Sequence, residues 1–566
     1  MKRIFLITFL APFTLLAQKN PLLQKADSCY NARDYKNAAN YSRQFYSIDS
    51  SCDGCTYNAA CYHALAGDTA SAIIFLKKSL ELGYASLYLE KDEDLLALHA
   101  HSHWAELQKK SAETYKKNAR ERAERSGRIA ASYEQWQHNW ERNFRTGPGS
   151  EDTGGTAKQV YAALKQFNRY RQPATMHQYL YFYQPVNDSI KVPYMVWLPP
   201  EYNPKKAYPL LVILHGAVRV QATLPAYADS SMTMSFHRHF TKYAREANMI
   251  IVIPYANRQY NWMYPDSGFN ITPAIVQHLK RFINIDDDAV SLTGHSNGAT
   301  GSFSYLLKQP GLFAGFSGMN TQPVIRTGGT FLPNAHNRNF YNIATSKDYY
   351  FPPAANDSIS KLAQKLNLGW TTDMQNGYPH WFPDFNMADE PVKKMFSSML
   401  QQRRNPFQHK LYWECDDITY GRCDWLAITA LDTLQNKAAW HQQYNFIIPY
   451  WIDNMNPDRI IDSSSIAFRY PRRSGALEAN YSDNVFRISS SRLKTLRIFL
   501  SPEMIDLSRP VIVYLNGRKV FEKKMGYNKT FMLKNFSENP DRKAVWINYV
   551  DIPLSSSGSQ RNRSDF

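Results

Sequence analysis

The motif Gly294-His-Ser-Asn-Gly298 carries the strongest chemical signal of the chain. It follows the apolar run Ala289-Val-Ser-Leu-Thr293 and precedes a stretch with helical spacing from Gly301 to Lys308. A Gly-x-Ser-x-Gly motif between a strand and a helix predicts a sharp turn that exposes the serine hydroxyl, with small flanking residues because larger ones would collide. Ser296 is therefore predicted to be a nucleophile. The alternative interpretation is an ordinary turn.

A serine hydroxyl needs a base, and a turn of this kind is followed in chain order by an acid and then a histidine. His380 lies in the turn-rich segment Gly377-Tyr-Pro-His-Trp-Phe-Pro383, after the presumed last strand. Sites form at the carboxyl edge of a parallel sheet, so His380 is the predicted base. A loop histidine held by Trp381 is the alternative. The other downstream histidines are His336, His409 and His441.

The acid is expected just past a strand and ahead of His380. Asp348 meets this condition in the segment from Ile343 to Pro352 and would orient the imidazole. Asp357 is the second candidate, but its Asn-Asp-Ser context is typical of a helix N-cap. Asp373 and Asp384 are further candidates in surface turns.

Acyl chemistry also needs hydrogen-bond donors for the oxyanion. The segment Leu214-His-Gly-Ala217 follows a buried apolar run, so the amide of Ala217 is predicted to be one donor. The amide of Asn297, directly after the nucleophile, is predicted to be the other. A tight strand exit at His215-Gly216 is the alternative.

The elements that must position these groups alternate between strand and helix. Apolar runs at 208–214 and 249–254, with shorter ones at 194–197, 289–293 and 342–345, are typical of strands buried on both faces. Their alternation with helical stretches predicts an α/β fold, a doubly wound and mostly parallel sheet. Runs at 493–500 and 511–515 and an Asn516-Gly517 turn predict a β-rich domain after it.

The N-terminal region is predicted to be helical. Ala26 and Ala60 are 34 residues apart, as are Ala38 and Ala72, and the stretches between them resemble two tetratricopeptide repeats. Such repeats imply a protein partner, and the alternative is a helical hairpin with none. The predicted organisation is a signal peptide at 1–17, repeats at 18–110, a charged helix and linker at 111–175, a catalytic domain at 176–400, a β-rich accessory domain at 401–555 and a disordered tail at 556–566.

The first residues resemble a secretory signal. Lys2 and Arg3 precede the apolar stretch Ile4 to Leu16, and Ala17 suits cleavage. A periplasmic or secreted location is therefore predicted, and an even number of six cysteines permits disulfides there. Cys415 and Cys423, eight residues apart in a loop with turn residues, are predicted to pair. Cys52-Asp-Gly-Cys55 is open between a disulfide, a redox pair and half of a metal site.

Composition excludes several classes of protein. The 566 residues are 44% hydrophobic and 20% charged, which excludes wholesale disorder and a coiled-coil rod. The net charge is +17, but no Lys/Arg block with interleaved aromatic residues indicates nucleic-acid binding. No membrane span is expected after removal of the signal, because no later apolar run is long enough.

Residues 185–395 resemble the α/β-hydrolase superfamily, nearest to secreted esterases of the polyhydroxybutyrate-depolymerase and feruloyl-esterase type. The similarity lies in Leu198-Pro-Pro-Glu-Tyr, in the run from Tyr208 to Gly216, in Leu292 to Gly298, in Asp348 with Pro352 and in His380-Trp381. It implies a serine ester hydrolase with no metal and no cofactor, acting on short-chain, acetyl or feruloyl esters of glycans or polyesters.

The sequence leaves the substrate undetermined and permits two alternative functions. Trp262, Tyr349 and Trp381 are predicted to line the pocket, since aromatic side chains suit a planar acyl group or a sugar ring. One alternative function is a peptidase of the prolyl-oligopeptidase type, which uses the same order of catalytic residues. The other is a catalytically silent binding protein that uses the repeats and the β-rich domain.

Overall fold

The computed structural model describes residues 20–144, 154–171, 178–230, 233–234, 237–264, 266–382, 388–453, 456–461 and 463–554. The predicted signal peptide (1–17) and tail (556–566) lie outside these residues. The chain divides after Ile129 into two compact units.

The first unit consists of helices. It contains α1 (Pro21–Asn31), α2 (Tyr35–Ile48), α3 (Asp53–Leu65) and α4 (Thr69–Glu81), then short 3-10 turns at Leu89–Lys91 and Glu93–Leu98. The long helix α5 (Trp104–Phe144) begins here and continues past Ile129. Ala26, Ala38, Ala60 and Ala72 are all fully buried, because small side chains let paired helices approach closely. None of the described helices has both the length and the apolar composition that a membrane crossing requires.

An eight-stranded sheet forms the centre of the second unit. Its spatial order is β1-β2-β4-β3-β5-β6-β7-β8. β2 is antiparallel to both neighbours, and the pairs from β4 to β8 are parallel, so the predicted mostly parallel sheet is confirmed. The strands are β1 (Tyr179–Pro185), β2 (Lys191–Trp197), β3 (Tyr208–Leu214), β4 (Ile250–Pro254), β5 (Ile285–Gly294), β6 (Gly315–Met319), β7 (Phe340–Lys347) and β8 (Trp370–Pro379).

Helices cover both faces of this sheet. One apolar core includes Ile275 and Phe303, and a second core on other sheet residues includes Phe240 and Met395. Strands buried on two faces need apolar side chains throughout, which explains the unbroken runs in β3 and β4. The helices of the unit, in chain order, are α6 (Ala157–Lys165), α7 (Arg238–Glu246), α8 (Ile271–Leu279), α9 (Asn297–Lys308), α10 (Pro353–Lys365) and α11 (Asp389–Gln401).

The C-terminal part is β-rich, as predicted. A five-stranded sheet has the order β20-β19-β17-β16-β9, and a four-stranded sheet has the order β10-β11-β18-β21. They share a core around Trp413, Trp425 and Phe486. The elements are β9 (Lys410–Cys415), β10 (Arg422–Cys423), β11 (Leu426–Leu431), β12 (Ile447–Ile448), β13 (Trp451–Asp453), β14 (Asn456–Ile461), β15 (Ser465–Ile466), β16 (Gly475–Ser482), β17 (Val485–Ser491), β18 (Leu493–Leu500), β19 (Pro510–Leu515), β20 (Arg518–Lys524), α12 (Lys529–Glu538) and β21 (Asn548–Pro553).

The predicted disulfide between Cys415 and Cys423 is wrong. Both thiols are free and buried. Cys415 ends β9 in the five-stranded sheet, whereas Cys423 lies on β10 in the four-stranded sheet, so the two residues are not opposite each other in one hairpin. The disulfide of the structure joins Cys52 and Cys55 at the start of α3.

Candidate active site

Ser296 occupies a strained turn between β5 and α9. Its backbone has φ 57° and ψ −120°, a left-handed conformation that costs free energy for a residue with a side chain. A Cβ on Gly298 would lie 1.9 Å from the carbonyl oxygen of Leu214, and one on Gly294 would lie 2.5 Å from the carbonyl carbon of Gly298. Both positions therefore require glycine. The tight turn leaves the hydroxyl at the end of β5, directly before the N-terminus of α9.

The structure brings Ser296, His380 and Asp348 together. Ser296 Oγ lies 2.8 Å from His380 Nε2, and His380 Nδ1 lies 2.8 Å from Asp348 Oδ2. Asp348 directly follows β7 and His380 directly follows β8, so neighbouring parallel strands deliver both to the same edge. With Nδ1–H donating to the carboxylate, Nε2 is left to accept the serine proton. The three side chains have exposed fractions of 7%, 1% and 1%.

The acid loop fixes Asp348. Its Oδ1 accepts hydrogen bonds from the amides of Tyr350 and Phe351, at 2.8 and 2.9 Å. Both carboxylate oxygens are thus occupied, one by the chain and one by the imidazole. The second acid candidate, Asp357, is an exposed residue of α10. Asp373 accepts from the hydroxyl of Tyr341, and Asp384 lies outside the described residues.

The loop after β3 lies against the nucleophile. A Cβ on Gly216 would be 3.2 Å from Ser296 Cβ, and the next residue, Ala217, has φ 55°. His215 holds the loop, since its Nδ1–H donates to the carbonyl of Gly216 at 2.7 Å and its Nε2 accepts from the amide of Ala256 at 3.0 Å. Burial lowers the pKa of His215 to about 4. This imidazole is therefore a neutral structural group at pH 7.

Asn297 is the first residue of α9, where a helix leaves its amide without a partner inside the helix. Asn297 directly follows Ser296, and Ala217 directly follows Gly216, which lies against Ser296. The two oxyanion donors stay predictions. Partial positive charge at the start of α9 adds to the preference for an anion there.

Two residues that the sequence did not reveal hold the backbone of His380. His295 Nε2–H and Asn320 Nδ2–H both donate to the carbonyl of His380, at 2.8 and 2.5 Å. Asn320 Oδ1 in turn accepts from the hydroxyl of Thr345 at 3.0 Å. Burial lowers the pKa of His295 to about 3, which keeps it neutral. Asn320 directly follows β6, and no motif marks it in the sequence.

Of the three predicted pocket residues, Trp262 is buried in the core, whereas Tyr349 and Trp381 are half-buried near His380. Trp262 is 2% exposed, with its ring 4.9 Å from the ring of His215 and its side chain against Gly301. The indole of Trp262 fills the space beside Gly301 and packs against His215 of the oxyanion loop. Trp262 therefore belongs to the core and does not line a pocket. Tyr349 and Trp381 are half-buried, with rings 6.4 and 5.4 Å from His380.

A second serine–histidine–carboxylate group lies in the C-terminal part. His441 Nδ1 is 2.9 Å from Ser491 Oγ, and His441 Nε2 is 2.8 Å from Glu414 Oε1. All three side chains are buried. We call Ser491, His441 and Glu414 the accessory triad. Of the other histidine candidates, His336 is exposed in a short 3-10 turn, and the ring of His409 lies 4.8 Å from that of Tyr481.

One group in the first unit has the ligand types for a metal. One potential ligand atom from each of Cys61, Asp92 and Asp94 lies within 4.8 Å of the others. The hydroxyls of Tyr30 and Tyr57 donate to Asp94 and Asp92. Burial raises the pKa of the Cys61 thiol well above its usual range.

Residues 186–325 match the Esterase family. The matched segment runs from the end of β1 to beyond β6 and contains Ser296 and the oxyanion loop. No curated protein matches the chain. Together with the order of the sheet, this match indicates an esterase-type α/β-hydrolase domain in that part of the chain.

Several solved structures resemble part of the chain. A thermostable esterase is 19% identical with a TM-score of 0.33, over 40% of this chain and 64% of its own. An S-formylglutathione hydrolase from Staphylococcus aureus is 13% identical with a TM-score of 0.30, over 39% of this chain and 98% of its own. A ferulic acid esterase from the anaerobic fungus Anaeromyces mucronatus is 16% identical with a TM-score of 0.30, over 42% and 94%.

Proposed function

We propose that the chain is a serine esterase that hydrolyses carboxylic esters through an acyl-enzyme on Ser296. His380 acts as general base and acid, and Asp348 orients the imidazole. The observation that carries this proposal is the pair of 2.8 Å contacts from Ser296 to His380 and from His380 to Asp348, on a serine with positive φ.

The first half of the reaction forms the acyl-enzyme. Ser296 Oγ attacks the carbonyl carbon of the ester while its proton moves to His380 Nε2. The carbonyl oxygen becomes an oxyanion, and the amides of Ala217 and Asn297 donate to it. The bond to the alcohol oxygen then breaks, and that oxygen takes the proton from His380. Asp348 stabilises the imidazolium between these two transfers.

The second half repeats these steps with water. His380 takes a proton from the water as its oxygen attacks the acyl carbon, and Ser296 Oγ leaves with that proton. The products are the carboxylic acid and the free enzyme. Buried His215 and His295 have lowered pKa values and stay neutral, so neither supplies a competing imidazolium beside the oxyanion.

The proposed substrates are short-chain, acetyl or feruloyl esters of glycans or polyesters. The half-buried aromatic rings of Tyr349 and Trp381 beside His380 support a planar or ring-shaped substrate. Trp262 is withdrawn from this set because it lies in the core.

The test is turnover of a panel made of 4-nitrophenyl acetate, methyl ferulate and a peptide anilide. The wild-type protein is expected to cleave at least one ester and to leave the anilide intact. Ser296→Ala should remove this activity. Ser304→Ala is the matched control, because Ser304 lies on the same helix and its hydroxyl donates to the carbonyl of Thr300. Equal rates for Ser296→Ala and wild type would overturn the proposal, and faster cleavage of the anilide would indicate a peptidase.

A further inference from the structure

A cavity of about 550 Å³ lies between the hydrolase sheet and the short strands of the C-terminal part. Two loops that follow sheet strands form one side, the segment 322–328 after β6 and the acid loop with Phe351 and Pro352. Residues around β12, β13 and β15 form the other side. The lining is largely apolar and includes Phe446, Ile448 and Trp451, but it also includes Arg326 and Arg469. No carboxylate side chain is among the described residues of the lining.

Positive charge is concentrated at this cavity. Partial desolvation lowers the pKa of Arg326, and the positive charges of Arg219 and Arg469 lower it further, so Arg326 lies close to two other guanidinium groups. In the described part of the chain none of the three forms an ion pair with a carboxylate. All three arginines are exposed, and Arg326 also donates to the side-chain oxygen of Gln322. Their combined positive field favours an anion at this end of the cavity.

The cavity adjoins the candidate active site on two sides. Phe351 lines the cavity, and its ring centroid is 5.2 Å from that of His380. Arg219 follows the predicted oxyanion donor Ala217 by two residues. The amide of Gln322, another lining residue, donates to Thr300 Oγ1 on α9, one turn beyond Ser296. The ring of Phe351 would therefore lie between a ligand in the cavity and the imidazole of His380.

We propose that this cavity binds an anionic group of the ester substrate, so that the preferred substrates are esters whose non-reacting part is a ring or chain carrying a carboxylate or a sulfate. The inference rests on the proposed function. Guanidinium groups bind such anions through paired N–H donors, which an ammonium group cannot match. The apolar wall with Trp451 and Phe446 would pack against the body of the same ligand.

The probes are matched pairs of acetate esters that differ only in charge. The short pair is 4-acetoxybenzoate and its methyl ester, and the long pair is 4'-acetoxybiphenyl-4-carboxylate and its methyl ester. A third anion, 4-acetoxybenzenesulfonate, distinguishes a sulfate-like group from a carboxylate. The readout is the ratio of kcat/KM for the charged ester to that for the neutral ester. A variant preparation that contains less folded enzyme shows the same proportional loss of kcat/KM for both esters, so the ratio does not change.

The wild-type ratio is expected to exceed one for at least one pair. Arg326→Gln and Arg469→Gln should each lower it by about tenfold, and the double variant by more, because each loses charged hydrogen bonds. Arg518→Gln is the control, since it removes one positive charge from exposed β20, at the edge of the five-stranded sheet. Its ratio should equal that of the wild type.

Three outcomes would overturn the inference, and they are distinguishable. If the neutral esters are hydrolysed but the ratio is the same in the wild type and the double variant, the anion site is wrong and the esterase proposal stands. If the wild type hydrolyses an ester of the first panel but none of these acetate esters, the anion-site inference alone fails. If it hydrolyses no ester of either set, both proposals fail.

Discussion

The candidate active site and the accessory triad contain the same three kinds of group in nearly the same contacts. Serine and histidine are 2.8 Å apart in the first and 2.9 Å apart in the second, and the histidine–carboxylate contact is 2.8 Å in both. Both sets are buried. The contact distances alone therefore do not separate the two sites, although the ring nitrogens are exchanged: His380 faces its serine through Nε2 and His441 through Nδ1.

The backbone around each serine separates them. Ser296 has positive φ and precedes the N-terminus of α9, with the oxyanion loop against it. Ser491 is the last residue of the regular strand β17, and its Oγ also accepts from the amide of Ala438 at 3.0 Å. Another strand, β18, follows it in place of a helix. Among the described residues, the accessory triad thus has neither a serine in a strained turn nor a helix N-terminus and glycine loop beside it that could supply donors to an oxyanion.

The largest difference in kcat is expected between variants of the two histidines, His380 and His441. His380→Ala should lower kcat on a cleavable ester by on the order of 10⁴-fold, because the base for Ser296 is lost. His441→Ala should keep kcat close to the wild-type value and lower the melting temperature. Ester turnover and thermal unfolding of both variants measure this. A similar loss of kcat in folded His441→Ala would show that the accessory triad takes part in catalysis.

A comparison of two aspartates sharpens the assignment of the acid. Asp348→Asn should lower kcat by about 10³-fold or more, because the amide would donate to Nδ1 and favour the wrong imidazole tautomer. Asp357→Asn, at an exposed position of α10, should change kcat by less than about twofold. Steady-state kinetics of the two purified variants test the difference. Equal losses would contradict the assignment of Asp348.

The accessory triad is expected to contribute stability. Glu414 accepts from His441 Nε2, from the hydroxyl of Ser474 at 2.6 Å and from the hydroxyl of Tyr412 at 2.9 Å. Glu414→Ala leaves these buried donors without an acceptor and should lower the free energy of unfolding by about 3 kcal/mol. Denaturant unfolding measures this, with exposed Glu478→Ala on β16 as control. An unchanged midpoint for Glu414→Ala would refute a stabilising role.

The smallest expected effect is on the pH dependence of the free energy of unfolding. Burial lowers the pKa of His295 to about 3 and that of His215 to about 4, so both stay neutral in the folded chain while the unfolded chain takes up protons below about pH 6.5. Stability therefore falls as pH falls, by about 1.4 kcal/mol per histidine for each unit below 6.5. His295→Gln removes one such group.

Unfolding midpoints at pH 6.5 and 5.5 measure this effect. The fall between the two values should be smaller in His295→Gln than in the wild type. An identical fall in both proteins would contradict this, because it would show that His295 titrates in the folded chain as it does in the unfolded chain.

The sequence predicted the sheet and the residues at its carboxyl edge because both depend on local patterns. Unbroken apolar runs mark β3 and β4, and Gly294 and Gly298 belong to a short motif around Ser296 that is recognisable in the sequence, although the structure shows that both also avoid the distant carbonyl of Leu214. β6 was not recognised, since Gly315-Phe-Ser-Gly-Met319 contains no β-branched residue and is a strand only because the sheet surrounds it.

The features that the sequence did not predict depend on contacts between residues that are far apart in the chain. His441 is 27 residues from Glu414 and 50 from Ser491, and no motif links them. Asn320 reaches His380 across 60 residues. Cys415 and Cys423 are close in the sequence but belong to different sheets, so proximity alone gave the wrong pairing.

The central claim is that one serine reacts because its backbone presents it to a base and to an oxyanion site. The most direct measurement is labelling of the intact wild-type protein with a fluorophosphonate, followed by peptide mapping of the modified residue. The account predicts a single adduct on Ser296 and none on Ser491. An adduct on Ser491, or no adduct on Ser296 in folded protein, would contradict it.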